Sequence, residues 1–147
     1  MKKIFLLLVI FLTACGYQPL FNVEKNNLFF RDIELSGNKK INRKIISSLK
    51  IKENQREDST ITIIIDSDKT IIETSKDSRG QAETYRTSII IKLTIKNLEK
   101  VVKANTFEES FSYDNRDNKY DLLNYQNEIE NNLVNKMIED IILFINL

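Results

Sequence analysis

The chain has 147 residues, one domain's worth, with 22 basic side chains against 21 acidic ones and a formal net charge of +1. So even a balance gives no strong field for nucleic acid or an anionic surface. Histidine is absent, which removes the commonest general base, the Ser-His-Asp triad and every His-ligated zinc or iron site.

Met1-Lys2-Lys3 is followed by IFLLLVIFL, residues 4–12, an uninterrupted apolar run. As a helix it spans about 13 Å against a bilayer core of roughly 30 Å, too short to cross. Positive residues, a short apolar core and small residues describe a secretory signal peptide over residues 1–14. Leu12-Thr13-Ala14-Cys15 reads as a bacterial lipobox, which predicts cleavage before Cys15 and acylation of that residue, the only cysteine. An uncleaved anchor with a chance cysteine is the alternative. Three acyl chains, at roughly 0.8 kcal/mol per buried CH₂, exceed what stable anchoring needs. Gly16 rather than Asp follows the cysteine, which favours export to the outer membrane. Removing 14 of the 147 residues leaves 133. With Lys2 and Lys3 gone, 20 basic residues face 21 acidic ones, and no thiol remains for a disulfide. Residues 15–27 read as a lipidated tether held extended by Pro19, and residues 28–147 as a single domain.

Residues 28–35, LFFRDIEL, predict a short strand ending at the turn signal Ser36-Gly37-Asn38. Ile41, Ile45, Ile46 and Leu49 recur at helical spacing and predict a short amphipathic helix over residues 39–50. Residues 52–59, KENQREDS, form a charged loop. The period then becomes two, with Ile61, Ile63 and Ile65 on one face and Thr60, Thr62 and Asp66 on the other. A polar turn around Asp77-Ser78-Arg79-Gly80 leads to the clearest strand. There Tyr85, Thr87, Ile89, Ile91, Leu93 and Ile95 alternate with Thr84, Arg86, Ser88, Ile90, Lys92, Thr94 and Lys96. A third strand, residues 101–113, puts Phe107, Phe111 and Tyr113 on one face.

The Asp-rich DNRDNKYD, residues 114–121, lacks the glycine and spaced glutamate of a calcium loop. A turn with a helix N-cap at Asp117 or Asn118 is expected instead. Leu122, Tyr125, Ile129, Leu133, Met137, Ile138, Ile141, Ile142 and Ile145 then keep helical spacing over about 25 residues, roughly 37 Å. No heptad charge code accompanies them, so this helix is expected to pack on a sheet. The order β-α-β-β-β-α predicts an α+β two-layer sandwich: a four-stranded, mostly antiparallel sheet with two helices on one face.

The lipobox running directly into CGYQPLF, residues 15–21, resembles the LptE family of lipopolysaccharide-assembly lipoproteins, especially its alphaproteobacterial branch. Over the rest of the chain the match is one of element order and length. The resemblance implies a non-catalytic protein, without cofactor or metal, held in the outer membrane by its lipid on the periplasmic side. Its implied role is to plug the lumen of the LptD β-barrel, help that barrel assemble, and assist lipopolysaccharide insertion. A polar, near-neutral plug suits a wet lumen. On the uncovered sheet face, Arg86, Lys92 and Lys96 are candidates for contact with lumen side chains or lipopolysaccharide phosphates; a solvated strand face is the plain alternative. The final helix is Asn- and Ile-rich where the family carries more Gly and Ala. A second class is a stand-alone periplasmic lipoprotein, a pilotin or envelope scaffold. An enzyme using Glu108 and Glu109 is disfavoured, because adjacent glutamates in a strand point to opposite faces.

Overall fold

Alternating Ile and polar residues from Ile61 onward fold as the period of two dictates. The computed structural model describes residues 29–53 and 60–146. Its elements are β1 (Phe29–Phe30), β2 (Asp32–Gly37), α1 (Lys39–Leu49), β3 (Lys52–Glu53), β4 (Ile61–Lys76), β5 (Ala82–Asn97), β6 (Lys100–Asp114) and α2 (Lys119–Asn146). β2, β4, β5 and β6 form one sheet in that order. β4, β5 and β6 are antiparallel neighbours, whereas β2 lies parallel to β4, with Ile33 opposite Ile63 and Leu35 opposite Ile65. A parallel pair needs a crossover, and α1 supplies it. This is the expected α+β arrangement, in the order β-α-β-β-β-α.

The first strand splits where the sequence shows no break. After Arg31 the chain joins the main sheet, while Phe29–Phe30 pairs in parallel with Lys52–Glu53. The start of the expected charged loop is therefore a short strand.

Turn chemistry sets the ends of α1. Gly37 has φ +80°, and a Cβ there would overlap the Ser67 carbonyl, so only glycine fits. Asn38 caps the helix, its side-chain oxygen accepting the Lys40 and Ile41 N–H groups. Lys50 closes it in the left-handed conformation. Asn118 caps α2 by accepting the Tyr120 N–H. Between β4 and β5, the Asp77 carboxylate accepts the Arg79 and Gln81 N–H groups.

α1 lies over β2 and β4, and α2 over β5 and β6. Between the layers, Ile41, Ile45, Ile63, Ile65, Ile89, Ile91, Leu93, Val134, Met137 and Ile141 are essentially inaccessible. At one end Tyr85 stacks on Tyr113, which meets the Tyr125 edge, and Arg116 lies over the Tyr125 ring. At the other, Phe107 meets Phe144 edge to face. Phe111 lies on the same side of β6 as Phe107 and Tyr113 but is 47% exposed. Among the described residues β6 is an edge strand, and Phe111 lies at a cleft between it and α2.

Candidate functional site

The opposite face of the sheet carries no helix among the described residues, and all three candidate cations lie on it. Lys92 stands between Asp66 of β4 and Thr106 of β6. Asp66 also accepts the Ser36 hydroxyl at 2.8 Å. Lys96 stands between Thr62 and Val101, where the β5–β6 register shifts. It borders a polar cleft of about 220 Å³ shared with Arg31, Asp32, Glu34 and Glu99. Arg86 differs from both. Its cross-strand neighbours are Ile72 and Ser112, neither of them acidic, and its Nε–H donates to the Ser112 hydroxyl at 3.0 Å.

Along β5, Arg86 and Lys92 are roughly 20 Å apart and Lys92 and Lys96 roughly 13 Å. They form a stripe rather than one converging pocket. The face between them is a mixture. Thr70, Ser88 and Ser110 make a hydroxyl row, and Ile90 sits between Asp68 and Glu108. A surface of alternating hydroxyls, paired charges and single aliphatic groups can meet a polar partner over a wide area. Among the described residues no cluster of His, Cys, Asp or Glu has the makings of a metal site, and no helix is long and apolar enough to cross a membrane. Cys15 and the whole segment of residues 15–21 lie outside the described residues, as do the expected signal segment 1–14 and tether 15–27.

A second polar group lies inside the sandwich, and no motif announces it. Glu130 of α2 is 4% exposed and pairs with Lys69 of β4 and with Lys40 of α1, the latter at 2.8 Å. Lys40 also donates to Asn127, and Lys44 to Asn131. Burial pushes the Glu130 carboxyl up, but the hydrogen bonds and positive charges of Lys40 and Lys69 together outweigh it and hold the group below its ordinary value. Burial lowers the Lys44 ammonium; Glu130 opposes that shift and Lys40 adds to it. Nearby, the Asn42 amide donates to the Ser36 carbonyl while its oxygen accepts the Ser67 hydroxyl at 2.6 Å. These groups bind helix to helix and helix to sheet. The sequence signal was faint but present: Glu130 lies on the stripe of Val134, Met137 and Ile141, so it must go into the interior with them.

No family profile and no curated protein matches the chain. Solved structures do. Rare lipoprotein B of Shewanella oneidensis superposes with a TM-score of 0.50 at 13% identity, over 74% of this chain and 86% of that one. An uncharacterized lipoprotein B of Nitrosomonas europaea, solved by solution NMR, gives 0.51 at 11% identity, over 82% of this chain and 86% of that one. The chain shares their fold. At such identity the likeness extends to architecture and not to any residue of the open face.

Proposed function

We propose that the chain is a lipid-anchored outer-membrane protein of the LptE type, acting without catalysis as plug and assembly partner of a large LptD-like β-barrel that carries lipopolysaccharide. The observation that carries this is the joining, in one chain, of a lipobox running into CGYQPLF with a domain of the lipoprotein B fold. The open sheet face adds support. Its strands are up to 16 residues long, about 50 Å, and its mixture of hydroxyls and charges suits the wet lumen of a barrel. In this proposal Cys15 is the lipid attachment point. Arg86 is the cation best placed for a lumen carboxylate or a lipopolysaccharide phosphate, because no acidic side chain opposes it on the neighbouring strands. Lys92 and Lys96 contribute secondarily.

The test is affinity purification of the C-terminally tagged chain from detergent-solubilised outer membranes, with mass spectrometry of what stays bound. The expected result is one large β-barrel in near-stoichiometric amount. A monomer, or a soluble partner alone, would transfer the assignment to a stand-alone envelope scaffold.

A further inference from the structure

Among the described residues, β6 pairs with β5 along one edge and with no strand along the other. From Lys103 to Asp114 its pairing with β5 runs without a register shift, and the stretch contains no proline. Bulges and prolines are two of the devices by which edge strands are ordinarily blunted. The ladder also says which groups face outward. The Asn115 N–H donates to the Glu83 carbonyl at 2.7 Å. Bonding direction alternates along an antiparallel strand, so Thr106, Glu108, Ser110 and Ser112 turn their N–H and C=O groups to the free edge.

Two features lie beside that edge. On the helix side, a cleft of about 160 Å³ between β6 and α2 is lined by Phe111, Tyr125, Glu128, Ile129, Asn132 and Leu133. On the other side, Glu108 and Asp114 project from the same half of β6, both exposed. Glu108, Asp114 and Glu128 enter no ion pair among the described residues. Two neighbouring cations are engaged elsewhere, Lys136 with Glu109 at 2.7 Å and Arg116 over the Tyr125 ring.

We propose that the free edge of β6 is a strand-addition site for an extended peptide of alternating basic and apolar residues. The added strand bonds to the outward groups of Thr106, Glu108, Ser110 and Ser112. Its apolar side chains face Phe111 and the α2 cleft, and its basic ones lie over Glu108 and Asp114. Main-chain bonds supply affinity in such complexes, and alternate side chains supply selectivity. Acidic strands are excluded by like charge, and strongly kinked segments by the ladder. The site borders the open sheet face, with which it shares Glu108 and Ser110, and its test does not depend on the barrel reading.

The test is fluorescence anisotropy of the full chain in non-ionic detergent, titrated into dye-labelled peptide KVKFKVK, with EVEFEVE as the charge-inverted control. The expected result is saturable binding of the basic peptide, weaker by about tenfold or more for the acidic one. Ser110→Pro should weaken binding by a similar factor of about ten, because proline removes an outward donor while leaving the bonds to β5 in place. Hydrogen exchange on the unsubstituted chain reads the same contact without a variant: KVKFKVK should slow exchange at Thr106, Glu108, Ser110 and Ser112. Equal binding of the two peptides, no binding of the basic one, full binding by a folded Ser110→Pro chain, or unchanged exchange at those four amides would each overturn the proposal.

Discussion

Lys69 on β4 and Glu130 on α2 form an ion pair beneath the helix layer, with the Lys69 side chain 19% exposed and that of Glu130 5%. Lys40 of α1 closes the same carboxylate from the solvent side, 60% exposed itself. One glutamate therefore ties together three elements that are far apart in the chain. Removing it leaves Lys69 without its partner in a poorly hydrated place, whereas removing Lys40 leaves a pair intact. Glu130→Gln should lower unfolding stability by about 1–3 kcal/mol at neutral pH, and Lys40→Ala by less than about 1 kcal/mol. Urea denaturation of the two variants checks the order.

The same pair makes stability depend on acid. The Glu130 carboxyl is held below its ordinary value of 4.5 in the folded chain. Its contribution is thus fully present above the unfolded carboxyl's pKa and lost as the pH falls through the lower folded one. The stability gap between the natural chain and Glu130→Gln should be widest near neutrality and close progressively below about pH 4. A gap independent of pH down to 3 would show that the charge of Glu130 contributes nothing.

Two glycines with nearly the same positive φ should respond differently to alanine. At Gly37 the new methyl group meets the Ser67 carbonyl; at Gly80 it meets nothing within 4 Å. Gly80→Ala bears only the backbone penalty, about 1–2 kcal/mol, while Gly37→Ala adds a steric clash and should exceed about 3 kcal/mol or fail to fold. Thermal melts of both variants separate the two terms.

Ile65 and Ile71 share a face of β4, yet one is fully buried and the other 37% exposed, beyond the end of α1. Ile65→Ala should destabilise by about 2–5 kcal/mol through the cavity it leaves, and Ile71→Ala by about 1 kcal/mol or less. Equal costs would contradict the partial exposure of Ile71.

On the open face, charge reversal should separate binding from folding. Arg86→Glu introduces no acidic cross-strand neighbour and should leave stability within about 0.5 kcal/mol while reducing recovery of the proposed barrel partner. Lys92→Glu sets two carboxylates opposite each other at Asp66 and should itself cost a few tenths of a kcal/mol to about 1 kcal/mol. Co-purification and urea denaturation, run in parallel on both variants, read the two effects separately.

The elements were legible because their patterns are local. Alternation from Thr84 to Lys96 names a strand with one buried face, and the structure buries Thr87, Ile89, Ile91, Leu93 and Ile95 accordingly. The cap expected at Asp117 or Asn118 falls to Asn118, whose side chain reaches a backbone N–H two residues away. By contrast, pairing partners depend on residues far off in the chain. Nothing near Arg31 requires the first strand to break there, because the break depends on the pairing of Phe29–Phe30 with Lys52–Glu53. The candidate cations are equivalent as sequence, all three at polar positions of one strand. They differ only through their neighbours: Asp66 beside Lys92, an acidic cleft beside Lys96, a hydroxyl and an isoleucine beside Arg86.

The sequence by itself determined the type and order of the four strands of the main sheet and the two helices, which face of each is apolar, and a cysteine in lipobox context, since each rests on spacing within a few turns or a few pleats of chain. Only the tertiary structure decided that β2 lies parallel to β4, that Glu130 meets Lys40 and Lys69, and that, among the described residues, Phe111 stays open and β6 keeps a free edge. Those outcomes follow from which strands become neighbours and how far each helix extends over the sheet. They are properties of the packed layers, set where segments distant in sequence meet.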